Sequence, residues 1–330
     1  MSRAEPASGT GSAPSSRLRP LAVVAFGGNA LLRPEDLGTV DEQRRRAEQA
    51  AGWLVELVRR GHDLVVVHGN GPQVGQVLIQ MEEAATKVPP GTLDVAVAQT
   101  EGGMGFLLET ALRNRLAAAG DEREVTTVLS LVVVDGDDPG FRKPSKPVGP
   151  FFSRWRAETH QREQGWDMVE DSGRGWRKVV ASPRPLEVLG LAGVRELLGR
   201  GHVVIAGGGG GIPVVRREDG SLAGVEAVID KDFTASAIAR FLAAELFIIL
   251  TGVPEVRRDF GKPEEAPLPE LPLAEARKLL ALGQFPAGSM GPKIEAAVEF
   301  VAATGKTVLI TDTDHLSTAL AGKGGTRVVA

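Results

Sequence analysis

Three glycine-rich turns and three lysines carry the clearest chemistry in this chain. The turns are Gly27-Gly28-Asn29, His68-Gly69-Asn70-Gly71 and the run Gly207 to Gly211, each closing a stretch that reads as a buried strand. Glycine has no Cβ, so backbone N–H groups at such turns can approach an anion closely. A helix starting behind the turn adds positive potential. Lys146 stands in Pro144-Ser145-Lys146-Pro147, Lys231 in Ile229-Asp230-Lys231-Asp232, and Lys293 in Gly288-Ser289-Met290-Gly291-Pro292-Lys293. Ammonium groups beside anion-binding turns suit phosphoryl transfer, in which charge spreads over the transferring oxygens. Asp230 and Asp232 flank Lys231, placed to orient it or to meet a magnesium ion. Asp232 also suits a helix N-cap. One glycine turn alone is usually just a tight turn, and one lysine usually a solvated charge. The coincidence of all of them points to a site.

The common nucleotide fingerprints are absent. Gly305-Lys306-Thr307 resembles the end of a P-loop, but Phe300 stands where that loop needs glycine, and a strand rather than a helix follows. Gly69-Asn70-Gly71 reaches Val74 with its next glycine one place late at Gly75, and the Gly207 to Gly211 run meets Ile212 and Pro213. Neither fits the dinucleotide pattern. The histidines, His62, His68, His160, His202 and His315, show no zinc spacing, so no protein metal-ligand set is expected. His68 beside its glycines reads either as a ligand contact or as a strand-end residue bonded to backbone. No Gly-x-Ser-x-Gly elbow occurs.

The elements that must position these residues alternate between strand and helix. Leu21 to Phe26, Asp63 to His68, Val203 to Ala206, Leu246 to Leu250, Val308 to Thr311 and Arg327 to Val329 read as strands. Val125 to Val134 reads as one long β-branched strand. Thr39 and Glu42 form a capping box before a helix that carries Ala47, Ala50, Ala51, Leu54, Leu57 and Val58 on one face. Further helices are expected at Leu93 to Leu116, Pro185 to Leu198, Asp232 to Leu242, Leu273 to Leu282, Pro292 to Val301 and Thr313 to Leu320. Glu218-Asp219-Gly220-Ser221 marks a hairpin turn. The order predicts an α/β fold, a three-layer α/β/α sandwich around a mainly parallel sheet. Residues 136–178, rich in proline, tryptophan and charge, read as a protruding lid. Residues 1–20 read as a flexible tail, 21–200 as one lobe and 201–330 as a second.

Composition sets the outer limits. The chain has 330 residues, 42% hydrophobic and 24% charged, as in ordinary globular proteins. A net charge of -4 offers no general grip on nucleic acid, and no apolar stretch is long enough to span a membrane. The absence of cysteine excludes disulfides, thiolate metal sites and cysteine nucleophiles. A cytoplasmic protein is the expectation.

From about Leu21 to the C-terminus the chain resembles the carbamate kinases of the amino acid kinase family. The matching segments include Ala25-Phe26-Gly27-Gly28-Asn29-Ala30, His68-Gly69-Asn70-Gly71-Pro72-Gln73, Lys146-Pro147-Val148-Gly149-Pro150-Phe151, Glu170-Asp171-Ser172-Gly173, Val228-Ile229-Asp230-Lys231-Asp232-Phe233, and Gly288-Ser289-Met290 with Lys293. The resemblance implies reversible transfer, ATP plus carbamate giving ADP plus carbamoyl phosphate, in a homodimer. The 21–200 lobe would hold carbamate or carbamoyl phosphate, the 201–330 lobe ATP or ADP, and the lid would cover the site. Flux would often run toward ATP in arginine or purine-derivative breakdown.

Carried over by position, Lys146, Lys231, Asp232 and Lys293 would be catalytic. Gly27, Gly28 and Asn29 would bind the transferring phosphoryl group, and Gly69, Asn70 and Gly71 the carbamate. Gly208, Gly209, Gly210, Gly211, Thr251, Gly252, Val253 and Met290 would line the nucleotide side, with Lys231 and Lys293. Magnesium would be held mainly by ATP phosphates and water. Carbamate is already an anion, so no general base and no phosphoenzyme are needed. The rivals are another amino acid kinase, such as one acting on acetylglutamate, a non-catalytic nucleotide-binding regulator, and a nicotinamide oxidoreductase. The Lys146 segment, the complete lysine trio and the failed dinucleotide fingerprint argue against them in turn.

Overall fold

The computed structural model describes residues 19–27, 36, 38–171, 173, 175–286 and 288–330. The chain begins with β1 (Leu21–Phe26), α1 (Val40–Arg59), β2 (Asp63–His68), α2 (Gly71–Ala84), α3 (Leu93–Ala118), β3 (Val125–Val128) and β4 (Leu131–Val134). Next come α4 (Pro139–Arg142), β5 (Lys146–Phe152), α5 (Arg154–Gln164), β6 (Met168–Glu170), β7 (Trp176–Val180) and β8 (Pro185–Val188). They are followed by α6 (Leu191–Gly199), β9 (Val203–Ala206), β10 (Ile212–Arg216), β11 (Leu222–Gly224), α7 (Lys231–Phe241) and β12 (Leu246–Leu250). The last are β13 (Arg257–Arg258), β14 (Ala266–Pro267), β15 (Glu270–Pro272), α8 (Leu273–Ala281), α9 (Met290–Thr304), β16 (Val308–Thr311), α10 (Leu316–Leu320) and β17 (Thr326–Val329).

Eight strands form one sheet in the order β15-β17-β16-β12-β1-β2-β9-β3. Every neighbouring pair is parallel except β16 with β17. The sheet is continuous across residue 200, since β1 pairs with β12 and β2 with β9. Side chains alternate between its faces. Ala22, Val24, Phe26, Leu64 and Val66 pack with Leu54, Leu57, Leu108 and Leu112 of α1 and α3. Val23, Ala25, Val65 and Val67 pack with Ile238, Ala276, Ile294, Ala297 and Phe300 of α7, α8 and α9. Burial on both faces explains why these strands read as unbroken apolar runs. The result is the expected three-layer α/β/α sandwich.

Thr39 caps α1 as expected: its Oγ1 accepts from the Glu42 N–H at 3.3 Å, and Glu42 answers at the Thr39 N–H at 2.9 Å. Three expectations are corrected. Val125 to Val134 is two strands in different sheets, because the chain leaves the edge of the large sheet after β3 and joins a second sheet, β11-β10-β4-β8, as β4. Pro185 to Leu198 is not one helix: β8 pairs antiparallel with β4 before α6 begins at Leu191. The helix expected from Thr313 starts only at Leu316. The hairpin turn at Glu218 to Ser221 joins β10 and β11 as read.

Residues 136–178 contain α4, α5 and most of a three-stranded sheet, β5-β7-β6. Half-buried aromatic rings pack together on it. His160 stacks on Trp166 at 4.6 Å, Phe152 meets His160 edge-on at 4.9 Å, and the Lys178 ammonium lies 4.0 Å from the Trp166 ring centre. The sheet is joined to α2 by a glycine contact: a Cβ on Gly75 would sit 1.8 Å from Gly149 Cα. Among the described residues no helix is long and apolar enough to cross a membrane.

Candidate active site

Strand ends and helix starts meet at a cleft of about 1020 Å³. Gly27 after β1, Gly69 after β2, Thr251 and Gly252 after β12, and Asp312 after β16 line it. Ligands in open α/β sheets bind at this end of the strands. Asn70 and Gly71 at the start of α2, Lys231 and Asp232 at the start of α7, and Ser289 before α9 line it as well. Neither Asn70 nor Ser289 caps its helix with a side-chain hydrogen bond. The positive end of each helix dipole therefore lies beside the cleft without a side-chain cap.

Asp232 organises the charged cluster. It is 1% exposed. Its Oδ1 accepts from Lys231 Nζ at 2.6 Å and its Oδ2 from Lys293 Nζ at 2.7 Å. The N-cap of α7 is Asp230, not Asp232: its Oδ1 accepts the Asp232 N–H at 3.0 Å. This corrects the expectation that Asp232 would cap the helix. The other oxygen of Asp230 pairs with Lys146 Nζ, reaching from β5. Three ammonium groups thus face two carboxylates, leaving one positive charge.

Burial opposes charge throughout the cluster, and the partners decide the outcome. It would raise Asp230, but Lys146, Lys231 and Lys293 hold that carboxyl well below its ordinary range. Burial of Asp232 is likewise outweighed by Lys231 and Lys293, and its pKa is lowered. Burial brings Lys231 down to about 8 in spite of Asp232. Lys293 resists the same burial and is held above its ordinary value by Asp232 and Asp230. The two lysines differ in depth, with side chains 9% and 14% exposed.

The cleft brings together Lys146, Lys231, Asp232, Lys293, Gly27, Gly69, Asn70, Gly71, Gly209, Thr251 and Gly252. Gly28 and Asn29 lie outside the described residues. Gly208, Gly210, Gly211, Val253 and Met290 do not line it. The glycine run is instead packed against the protein itself. A Cβ would fall 2.3 Å from His68 Nε2 at Gly208, 2.2 Å from the Ile229 carbonyl oxygen at Gly210, and 2.3 Å from Val132 Cγ2 at Gly211. Met290 packs against the apolar core. His68 is buried and does not line the cleft, and its Nδ1 lies 3.2 Å from the Gly69 carbonyl oxygen.

Several lining residues had no distinct signal in the sequence. Arg177 of β7 donates from Nε to the Gly149 carbonyl at 3.0 Å and from Nη1 to Asp171 at 3.3 Å. It reads from the sequence as one charge among many in residues 136–178. Gln76, Asp312 and Asp314 also line the cleft and lie in no recognisable motif.

Known proteins are similar to this chain along most of its length. The family model described as "Amino acid kinase family" matches residues 20–312. A carbamate kinase of Pyrococcus furiosus is 42% identical over 309 residues, covering 93% of this chain and 98% of that protein. Among solved structures, carbamate kinase from Giardia lamblia bound to citric acid superposes with a TM-score of 0.90 at 38% identity, covering 94% of this chain and 98% of that one. The same enzyme bound to AMP-PNP superposes with a TM-score of 0.85 at 39% identity, covering 94% and 98%.

Proposed function

The chain belongs to the amino acid kinase family, and on that premise we propose that it is a carbamate kinase, transferring a phosphoryl group reversibly between ATP and carbamate. The observation that carries this reading is the bridge from Asp232 to Lys231 and Lys293 at the starts of α7 and α9. It fixes two ammonium groups in one cleft with the glycine turns after β1 and β2. Such a site neutralises charge on a transferring phosphoryl group without reorganising. Carbamate is an anionic nucleophile, so transfer needs positioning more than a base.

In this reading Gly27, Gly28 and Asn29 bind the phosphoryl group, Gly69 to Gly71 hold carbamate, and Lys146 reaches it from the lid over residues 136–178. Gly209, Thr251 and Gly252 flank ATP or ADP, and Gly208, Gly210 and Gly211 shape the wall behind them. Residues 21–200 then serve the carbamate side and 201–330 the nucleotide side. Asp230 and Asp232 are both engaged by lysines. That donor set fits a magnesium ion held by nucleotide phosphates and water, where it would neutralise phosphate charge. The reading places a homodimer in the cytoplasm, running toward ATP in the breakdown of arginine or purine derivatives.

The test is ATP formation from ADP and carbamoyl phosphate with magnesium, beside Lys231→Ala. Lys231→Ala should lower turnover far more than substrate affinity. If folded wild-type protein makes no ATP but phosphorylates acetylglutamate, the family stands and the substrate changes. ATP binding without transfer to any acceptor would point to a regulator.

A further inference from the structure

Phosphoryl transfer leaves one buried carboxyl beside the cleft without a role. Glu101 sits within α3 on the face that carries Val97, Met104 and Leu108, and it is 1% exposed. Its Oε1 accepts from the N–H of Ser130 at 3.2 Å and from the N–H of Gly208 at 3.0 Å. Ser130 Oγ in turn accepts from the Gly207 N–H at 2.8 Å. The first two N–H groups of the glycine turn are therefore held from α3 and from the segment before β4. The preceding residue, Thr100, accepts from Asn70 Nδ2 at 2.9 Å. Asn70 also abuts the glycine turn, since a Cβ on Gly209 would lie 2.2 Å from its Nδ2. Adjacent residues of one helix thus hold two turns that line the cleft.

We propose that Glu101 is a positioning residue that locks the Gly207 to Gly211 turn against Asn70, so that this part of the cleft is formed before ligands arrive. The proposal rests on the phosphoryl-transfer reading for its effect on turnover, but not for its effect on the turn. Burial pushes the Glu101 carboxyl up to about 8. It is then largely uncharged at neutral pH, with Oε1 accepting both N–H groups and the proton on Oε2. The titratable side chain facing it is His68 of β2. A Cβ on Gly208 would lie 2.3 Å from His68 Nε2 and 3.0 Å from Glu101 Cγ. Ser130 and the glycine turn bring no titratable group. Burial lowers His68 to about 4, so it too is neutral. Its Nδ1 lies beside the Gly69 carbonyl, which can only accept. Glu101 Oε2 and His68 Nε2 are both buried without a hydrogen bond among the described residues. The protonated acid and the neutral imidazole both flank the space that glycine leaves open at position 208.

Glu101→Gln imitates the protonated acid, and Glu101→Leu removes the acceptor. ATP formation is measured for both variants and wild type from pH 6 to 9.5. Gln should retain turnover within about threefold at pH 7, and Leu should lose about tenfold or more, mainly in kcat. The ratio of wild type to Gln should fall as pH rises through about 8, a change a purely structural role would not produce. Other titrating groups are common to both proteins and cancel in that ratio. A flat ratio would overturn the protonation account, and full activity in Leu would overturn the positioning role. Hydrogen exchange at the Gly207 to Gly211 amides of ligand-free protein is the second readout. Exchange should be about tenfold faster or more in Leu and normal in Gln. Unchanged protection in Leu would sink the proposal whatever acceptor the enzyme uses, and it also separates loss of the turn from loss of the whole fold.

Discussion

The ammonium of Lys146 and the carboxylate of Asp230 form an ion pair between residues 84 positions apart in the chain. It joins the first residue of β5 to the N-cap of α7, so one carboxylate connects the three-stranded sheet of β5, β6 and β7 to the helix that carries Lys231. A phosphorylated ligand in the cleft would compete with Asp230 for that ammonium. Lys146→Met should therefore raise the KM for carbamoyl phosphate about tenfold or more, with a smaller effect on the KM for ADP. Steady-state kinetics with each substrate varied in turn makes the comparison. Equal changes in both constants would remove Lys146 from the carbamate side.

Asp232→Asn probes the bridge between α7 and α9. The amide keeps one acceptor oxygen, whereas Asp232 uses both oxygens, one for each lysine. One buried ammonium then loses its partner, and the cluster gains a net positive charge. Breaking a buried pair in this way costs about 3 kcal/mol. The expected result is a lower urea midpoint, with turnover reduced about 100-fold. Wild-type stability and turnover in this variant would show that the bridge neither holds the helices together nor orients the lysines.

Gly75 and Gly149 give a packing prediction with an internal control. A Cβ at position 75 would lie 1.8 Å from Gly149 Cα, so Gly75→Ala must push β5 away from α2. Overpacking of this kind costs about 1–3 kcal/mol. Because β5 carries Lys146, the KM for carbamoyl phosphate should rise along with the loss of stability. Gly52→Ala, in α1 where nothing lies within 4 Å of the added Cβ, should be neutral or stabilising by about 0.5–1 kcal/mol. Matching urea midpoints for the two variants would show that the α2–β5 contact yields freely.

The parts of this architecture legible in the sequence are those whose residues state their own reason. β1, β2, β9 and β12 are buried on both faces, so their apolar runs needed no partner to be recognised. Lys231 stands out between two aspartates where a strand gives way to a helix, and Lys293 stands out beside glycine and proline near a helix start. The misreadings arise where tertiary contacts override a local pattern. Val125 to Val134 looks like one strand, yet it breaks where Ser130 serves Gly207 and receives Ile212, both distant in the chain. Pro185 to Val188 is held as a strand only by its pairing with β4. The helix of Gly71–Ala84 hid behind Gly71-Pro72, which reads as a turn although proline suits a helix start. Glu101 does carry a signal in the sequence: it is a carboxylate three and four residues from Met104 and Val97 on a helix's apolar face. The Gly207 to Gly211 run suggests nucleotide contact in the sequence, whereas the close packing of its glycines against the protein's own atoms is visible only in three dimensions.

The low pKa of Lys231 gives the activity a predictable alkaline limb. Burial lowers this lysine from 10.5 to about 8 in the free protein. Its cationic form, the one that stabilises phosphoryl oxygens, is therefore complete below that value and lost as pH rises through it. The profile of kcat/KM reports groups of the free enzyme, so it should turn down near pH 8. Bound phosphate favours the ammonium, so the limb in kcat should lie at higher pH. Working in the Glu101→Gln background removes the carboxyl that titrates in the same range. Stability should move in the opposite sense. Between pH 8 and 10.5 the unfolded chain holds a proton that the folded lysine has released, so this group makes unfolding harder as pH rises. Lys231→Arg stays charged throughout and should lose both effects, whatever turnover remains. An alkaline limb near pH 8 that persists in Lys231→Arg would assign the titration to another group.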